Sequence, residues 1–170
     1  MIFSLLAMLF AFGALIVAGL AWSRSNDTKD ALAKVQAVGV TPTSTAVTLQ
    51  EYTMTPHAAV LKAGTVTLNV HNVGSVTHEL VLVNEPSIAA LPIVQTATKD
   101  RAVGDVNEEA IPDNLKMGET GDVKPGHTVV KTFHLTPGTY VMFCNIDDQG
   151  PNGTAINHFH QGMAATISTQ

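Results

Sequence analysis

Cysteine occurs once in 170 residues, as Cys144, so no internal disulfide can form and no site needing two thiolates can exist. Charge is also scarce. Charged residues make up 14 % of the chain and the net charge is −5, which leaves nucleic-acid binding without an electrostatic basis. Aromatics reach only 5 %, and the apolar share rests on Ala, Val and Leu interleaved with Thr, a composition that suits strands. The length allows one domain with a real core and not two large ones.

The start of the chain lacks charge altogether. Met1 to Trp22 contain no ionisable side chain, and Ser4 is the only clearly polar one. As a helix at about 1.5 Å per residue, that run matches the hydrocarbon thickness of a bilayer. A secretory signal peptide has a basic start and a shorter apolar stretch. Gly19-Leu20-Ala21 offers only a weak cleavage site, so residues 1–22 read as a transmembrane anchor or signal peptide, with the anchor favoured. Arg24, Lys29 and Lys34 follow at once, and the positive-inside rule assigns such a flank to the cytoplasm. Residues 23–44 read as a linker, polar at Ser23 to Thr28 and broken at Thr41-Pro42-Thr43-Ser44.

From Thr45 the pattern turns to strands. Ala46 to Tyr52, Thr65 to Val70, Val76 to Val83, Thr128 to Leu135, Thr139 to Cys144 and Met163 to Ser168 alternate or run apolar, with turns at Lys62-Ala63-Gly64, Asn72 to Ser75, Lys124-Pro125-Gly126 and Pro137-Gly138. Short β runs punctuated by Gly and Asn predict an antiparallel sandwich or barrel over residues 45–170. The stretch from Asn84 to Val123 reads instead as a loop with Pro86, Pro92 and Pro112. Between Asp100 and Asp122 it holds seven acids against Arg101 and Lys116. Such a stretch is ordinarily a solvated surface, and its functional reading is a docking face for a basic partner.

Cys144 ends an apolar strand and opens a long loop. That loop closes on His158-Phe159-His160-Gln161-Gly162-Met163, directly before the last strand. His78 sits on an earlier strand. One thiolate, two imidazoles and a weak thioether form the ligand set of a blue-copper site, soft enough for Cu(I) and still suited to Cu(II). Taken singly, each ligand has a plainer reading: Cys144 as buried apolar filler, the histidines as surface or satisfied core residues, Met163 as core. His160 rivals His158 for the second imidazole. His57, His71, His127 and His134 read as structural or solvent-facing, and His134, between Phe133 and Leu135, is expected to point outward.

The segments Val76-Thr77-His78-Glu79-Leu80, Thr136-Pro137-Gly138-Thr139-Tyr140-Val141-Met142-Phe143-Cys144-Asn145 and His158-x4-Met163 together resemble the cupredoxins of the plastocyanin, azurin and sulfocyanin type. The resemblance covers about Thr45 to Gln170. It implies an all-β Greek-key β-sandwich with one mononuclear copper, His78, Cys144 and His158 as strong equatorial ligands and Met163 as the long axial one. The gap from His158 to Met163 matches the family and that from His160 does not. Two features depart from the pattern. Thirteen residues separate Cys144 from His158, with Asp147 to Gly153 expected to loop out as a surface hairpin, and Glu79 stands where such proteins often carry Asn. Asn145 is expected to donate a hydrogen bond near the sulfur.

The resemblance further implies a one-electron carrier, not an enzyme, exchanging electrons with a cytochrome or oxidase through an exposed edge of His158 ringed by Phe159, Gly162 and Met163. It places the domain outside the cytoplasmic membrane, in the periplasm or at the cell surface, against the loop-charge rule. A dinuclear oxidase-type site needs two cysteines, and a multicopper oxidase needs several His-x-His pairs where His158-Phe159-His160 is the only one. Two alternatives stand beside the carrier: a copper trafficking or storage protein, though Met-rich and His-rich tracts are absent, and a metal-free interaction sandwich.

Overall fold

The structure, a computed structural model, describes residues 41–99, 101–149 and 155–170. The apolar run 1–22 and most of the linker lie outside the described residues. Among the described residues, no helix is long and apolar enough to cross a membrane. The sheet unit runs from Thr41 to Gln170. The carbonyls of Pro42 and Thr43 already accept hydrogen bonds from the amides of Lys62 and Thr67, so the last residues of the expected linker are sheet framework.

Period-2 alternation produces the first sheet. In β1 (Ser44–Gln50), Thr45, Val47 and Leu49 turn inward, and in β4 (Gly64–Asn72), Val66, Leu68, Val70 and Asn72 do. With β2 (Thr53–Pro56) and β7 (Thr128–Leu135) they form a sheet of order β2-β1-β4-β7. His134 is exposed between buried Phe133 and Leu135, as its alternation requires. The second sheet comprises β3 (Val60–Leu61), β5 (Val81–Val83), β6 (Lys116–Glu119), β8 (Gly138–Phe143) and β11 (Ala164–Thr169), in the order β3-β11-β8-β5-β6. A separate antiparallel pair joins β9 (Asp147–Gln149) to β10 (Ala155–Asn157); residues 150–154 of the expected surface hairpin lie outside the described residues, and Asp148 reaches inward rather than looping out. The sheets are not purely antiparallel: β1 runs parallel to β4 and β3 parallel to β11, because the chain leaves the first sheet after β2 and returns to it as β4.

The inward faces of both sheets meet in one core of Val47, Leu49, Val66, Leu68, Leu82, Tyr140, Met142 and Ile167. At about 1.5–3 kcal/mol for each large side chain removed from water, this layer is the main stabilising term. Cys144 and Met163 belong to the same cluster.

Two expectations need correction. The stretch Val76 to Val83 is not one strand. Its ladder is reduced to an isolated bridge between His78 and Val123 and the short β5, because the Glu79 amide donates to the Cys144 sulfur and the Leu80 amide to Thr120 Oγ1. The stretch from Asn84 to Val123 is not merely a solvated loop. It supplies β6, and its Leu91, Val106 and Ile111 pack with Val81, Val83, Val141 and Phe143 in a second core on the outer face of β5 and β8. Strand β8 is thus covered on both sides, which is why its sequence runs apolar rather than alternating.

Candidate metal centre

Three of the candidate ligands are carried by separate pieces of backbone. Cys144 follows β8 directly, and its amide donates to the Met163 carbonyl at 3.1 Å. His158 follows β10, with its amide on the Ile146 carbonyl at 3.0 Å. From His158 the chain makes a tight turn, in which the Met163 amide returns to the His158 carbonyl at 3.1 Å. Gly162 takes φ +96° in that turn, a conformation only glycine adopts cheaply. His78 is fixed by its bridge to Val123, with N–H···O distances of 3.1 and 2.7 Å. Buried Asn72 staples that bridge: its Nδ2 donates to the carbonyls of Val76 at 2.8 Å and Val123 at 2.7 Å.

These frames bring the side chains together. His78 Nδ1 lies 3.1 Å from His158 Nδ1, and Cys144 Sγ lies 3.3 Å from the same His158 nitrogen. One donor atom from each of the three falls within 4.8 Å of the others, and all three residues are 0 % exposed. Met163 is buried in the same cluster as Cys144 and bonded through its backbone to both Cys144 and His158. His160 is exposed and stands apart from the cluster, its ring against Gly104, where an added Cβ would come within 1.9 Å of Nε2.

Burial pushes the Cys144 thiol up to about 12, while the amides of Glu79 and Ile146 pull weakly the other way. Burial also lowers the His78 pKa, and the neighbouring His158 adds to this; the carboxylates of Glu51 and Asp148 oppose it. Without a cation, the pocket therefore holds a neutral thiol and a neutral His78 at pH 7. A bound cation reverses this by displacing the thiol proton.

The residues fit a metal on a further count. His78 Nε2 is buried without a hydrogen-bond partner, and Glu51 Oε1 lies 3.7 Å away. An ion on Nδ1 leaves the ring proton on Nε2, facing that carboxylate. On the far side of the pocket, His158 Nε2 meets Asp148 Oδ2 at 2.9 Å, so its proton too is held on the outer nitrogen and Nδ1 is left bare. Two bare imidazole nitrogens and a thiolate around one point suit a single mononuclear copper ion.

The surroundings differ from expectation in three places. Asn145 does not donate to the sulfur. Its amide donates to Glu79 Oε1 at 3.1 Å, and its Nδ2 to the Val106 carbonyl at 3.0 Å and Glu108 Oε1 at 2.7 Å. The Glu79 amide donates to the sulfur at 3.3 Å, so Glu79 ties the His78 and Cys144 segments together through both backbone and side chain. His158 has no exposed edge. Tyr52 packs against its ring at a centroid distance of 4.9 Å, tilted by 53°, and Asp148 covers its outer nitrogen. Of its expected apolar rim, Met163 is buried, Phe159 is half-buried against Phe143, and only Gly162 is exposed. Sequence reasoning missed Glu51, Tyr52 and Asp148. The one available signal was for Asp148: in a hairpin that pairs it with Ile156, it stands two residues short of His158.

Solved structures align with this two-sheet sandwich. Reduced auracyanin from the photosynthetic bacterium Roseiflexus castenholzii aligns with TM-score 0.54 at 20 % identity, over 76 % of this chain and 98 % of its own. Auracyanin B aligns with TM-score 0.50 at 26 % identity, over 78 % and 93 %. Auracyanin A, a blue copper protein from the green thermophilic photosynthetic bacterium Chloroflexus aurantiacus, aligns with TM-score 0.50 at 19 % identity, over 76 % and 99 %. No protein-family model and no curated protein matches the chain. The chain has the cupredoxin fold.

Proposed function

We propose that the protein is a one-electron carrier in which His78, Cys144 and His158 hold a mononuclear copper ion and Met163 is its weak axial ligand. The observation that carries this reading is the convergence of three donor atoms within 4.8 Å in a pocket closed to water. Copper, when bound, supplies a one-electron couple between its cupric and cuprous states. The protein's part is to hold the donors still. Cys144 and Met163 are tied backbone to backbone, His78 is stapled through Asn72, and His158 is held at Nε2 by Asp148 with Tyr52 packed against its ring. A pocket that cannot rearrange lowers the cost of changing charge state.

The test is copper titration of the metal-free fragment from Thr41. One equivalent of Cu(II) should raise an intense thiolate charge-transfer band that ascorbate bleaches and ferricyanide restores. Tight Cu(I) binding with no reversible couple would instead mark a trafficking protein, and no uptake a metal-free interaction domain.

We propose that the carrier works outside the cytoplasmic membrane with residues 1–22 as its anchor, a reading that the uncharged apolar run supports. Protease shaving of intact cells tests this, and a protected domain would overturn it. Glu109, Asp113, Glu119 and Asp122 are exposed and suit a basic cytochrome or oxidase. Electron exchange with such a partner should slow as ionic strength rises.

A further inference from the structure

The spacer between Cys144 and His158 is organised around one contact. Strands β9 and β10 pair in register, Asp148 opposite Ile156 and Asp147 opposite Asn157, so the chain doubles back just before His158. Asn157 secures the base of the hairpin. Its Nδ2 donates to Asp147 Oδ1 at 2.9 Å and to the Asn145 carbonyl at 3.3 Å. The result is that Asp148, with 28 % of its side chain exposed, reaches inward to a histidine that is 0 % exposed and bonds its outer nitrogen at 2.9 Å. His78, by contrast, has no hydrogen-bond partner on its outer nitrogen.

We propose that Asp148 is a positioning residue of the metal centre: delivered by the inserted hairpin, it fixes the His158 ring through Nε2 and its charge holds the reduction potential down. This rests on the copper reading above. The geometric half follows from hydrogen-bond complementarity. A carboxylate is acceptor-only, so Nε2 must carry the proton and Nδ1 must present its lone pair inward. The electrostatic half follows from charge. A fixed anion near a centre that passes between two positive charge states favours the higher one, and burial of the ring between them limits screening. Asp148 thus stands at the outer nitrogen of a ring that is closed to solvent.

Two variants separate the halves. In Asp148→Asn the amide oxygen still accepts from Nε2–H, but the charge is gone. In Asp148→Ala both are lost. Imidazole 15N spectra of the metal-free protein should show His158 as the Nε2–H tautomer in wild type and Asp148→Asn, and as a mixture in Asp148→Ala. In the copper-loaded protein, Asp148→Asn should keep the charge-transfer band while its Cu(I)-over-Cu(II) preference rises about tenfold, a potential about 59 mV higher for one electron. A potential equal to wild type in Asp148→Asn, or a His158 tautomer unchanged in Asp148→Ala, overturns the proposal. If wild type shows no charge-transfer band, the copper reading fails instead, and the metal-free spectra still decide whether Asp148 fixes the ring.

Discussion

His78 and His158 face each other across one pocket at 3.1 Å, yet the chain fixes them by different means. His78 is held by backbone. Its amide and carbonyl bridge Val123, Asn72 ties Val76 to Val123, and the carboxylate of Glu51 accepts from the amides of Ser75 and Val76 just upstream. Its ring is free of side-chain hydrogen bonds outside the cluster. His158 has backbone bonds too, to Ile146 and Met163, but its ring is also held: Asp148 accepts from Nε2 and Tyr52 packs against it. Both ligands thus have a backbone frame, and the difference lies at the outer ring nitrogen, which is bonded to Asp148 in His158 and has no hydrogen-bond partner in His78.

The largest effect should come from removing the sulfur that shares the cluster with both histidines. Cys144→Ser substitutes a hard oxygen for a soft thiolate and should abolish the charge-transfer band while leaving the fold intact. A retained band would mean the colour arises elsewhere and would end the proposed ligand set. Next in size is the frame of His78. Asn72→Ala leaves the Val76 carbonyl without its Asn72 donor and removes a second bond from the Val123 carbonyl, and should cost about 1–3 kcal/mol in urea unfolding of the metal-free protein. If the two histidines are held independently, the His158 tautomer in that variant should not change. A change there would show that the two anchors act as one.

Glu51 sharpens the comparison through pH. Burial pushes its carboxyl up, but the amides of Glu51 itself, Val76 and Ser75 and the Ser75 hydroxyl outweigh burial and lower its pKa from 4.5 to about 2. A carboxylate depressed in the folded state contributes stability that is fully present above its unfolded pKa and is lost as pH falls through the folded one. For Glu51 that window runs from about 4.5 down to about 2. Unfolding midpoints of the metal-free protein should therefore fall across this range, and Glu51→Gln should start lower at neutral pH and fall less. Parallel curves for the two proteins would assign the acid sensitivity to other groups.

The parts of this centre that were legible in sequence are those that local pattern determines. Alternation in Thr65 to Val70 and Thr128 to Leu135 places strands whose side chains turn as expected, and donors at strand ends in family order point to the pocket. What was not legible depends on where backbone donors go. Val76 to Val83 alternates like a strand, but its amides at Glu79 and Leu80 are taken by a sulfur and a threonine hydroxyl. The apolar residues of the acidic stretch, Leu91, Val106 and Ile111, are too widely spaced to show a period, and only the outer face of β8 explains their burial. The covered ring of His158 has the same origin, since it requires the register of a hairpin and the position of a distant turn at Tyr52.

His160 provides the smallest expected effect and the cleanest contrast. It shares a turn with His158, and only the gap to Met163 favoured His158 over it in the sequence. The structure puts His158 inside the cluster and leaves His160 exposed, its ring against Gly104 and its amide on Asn157 Oδ1 at 3.1 Å. That backbone bond survives substitution. His160→Ala should therefore keep the copper band and the potential of wild type, with a stability change within about 0.5 kcal/mol, as for a surface side chain outside any network. His158→Ala should lose the band. The reverse pattern would move the second imidazole to His160, and Asp148 would then have no metal ligand to orient.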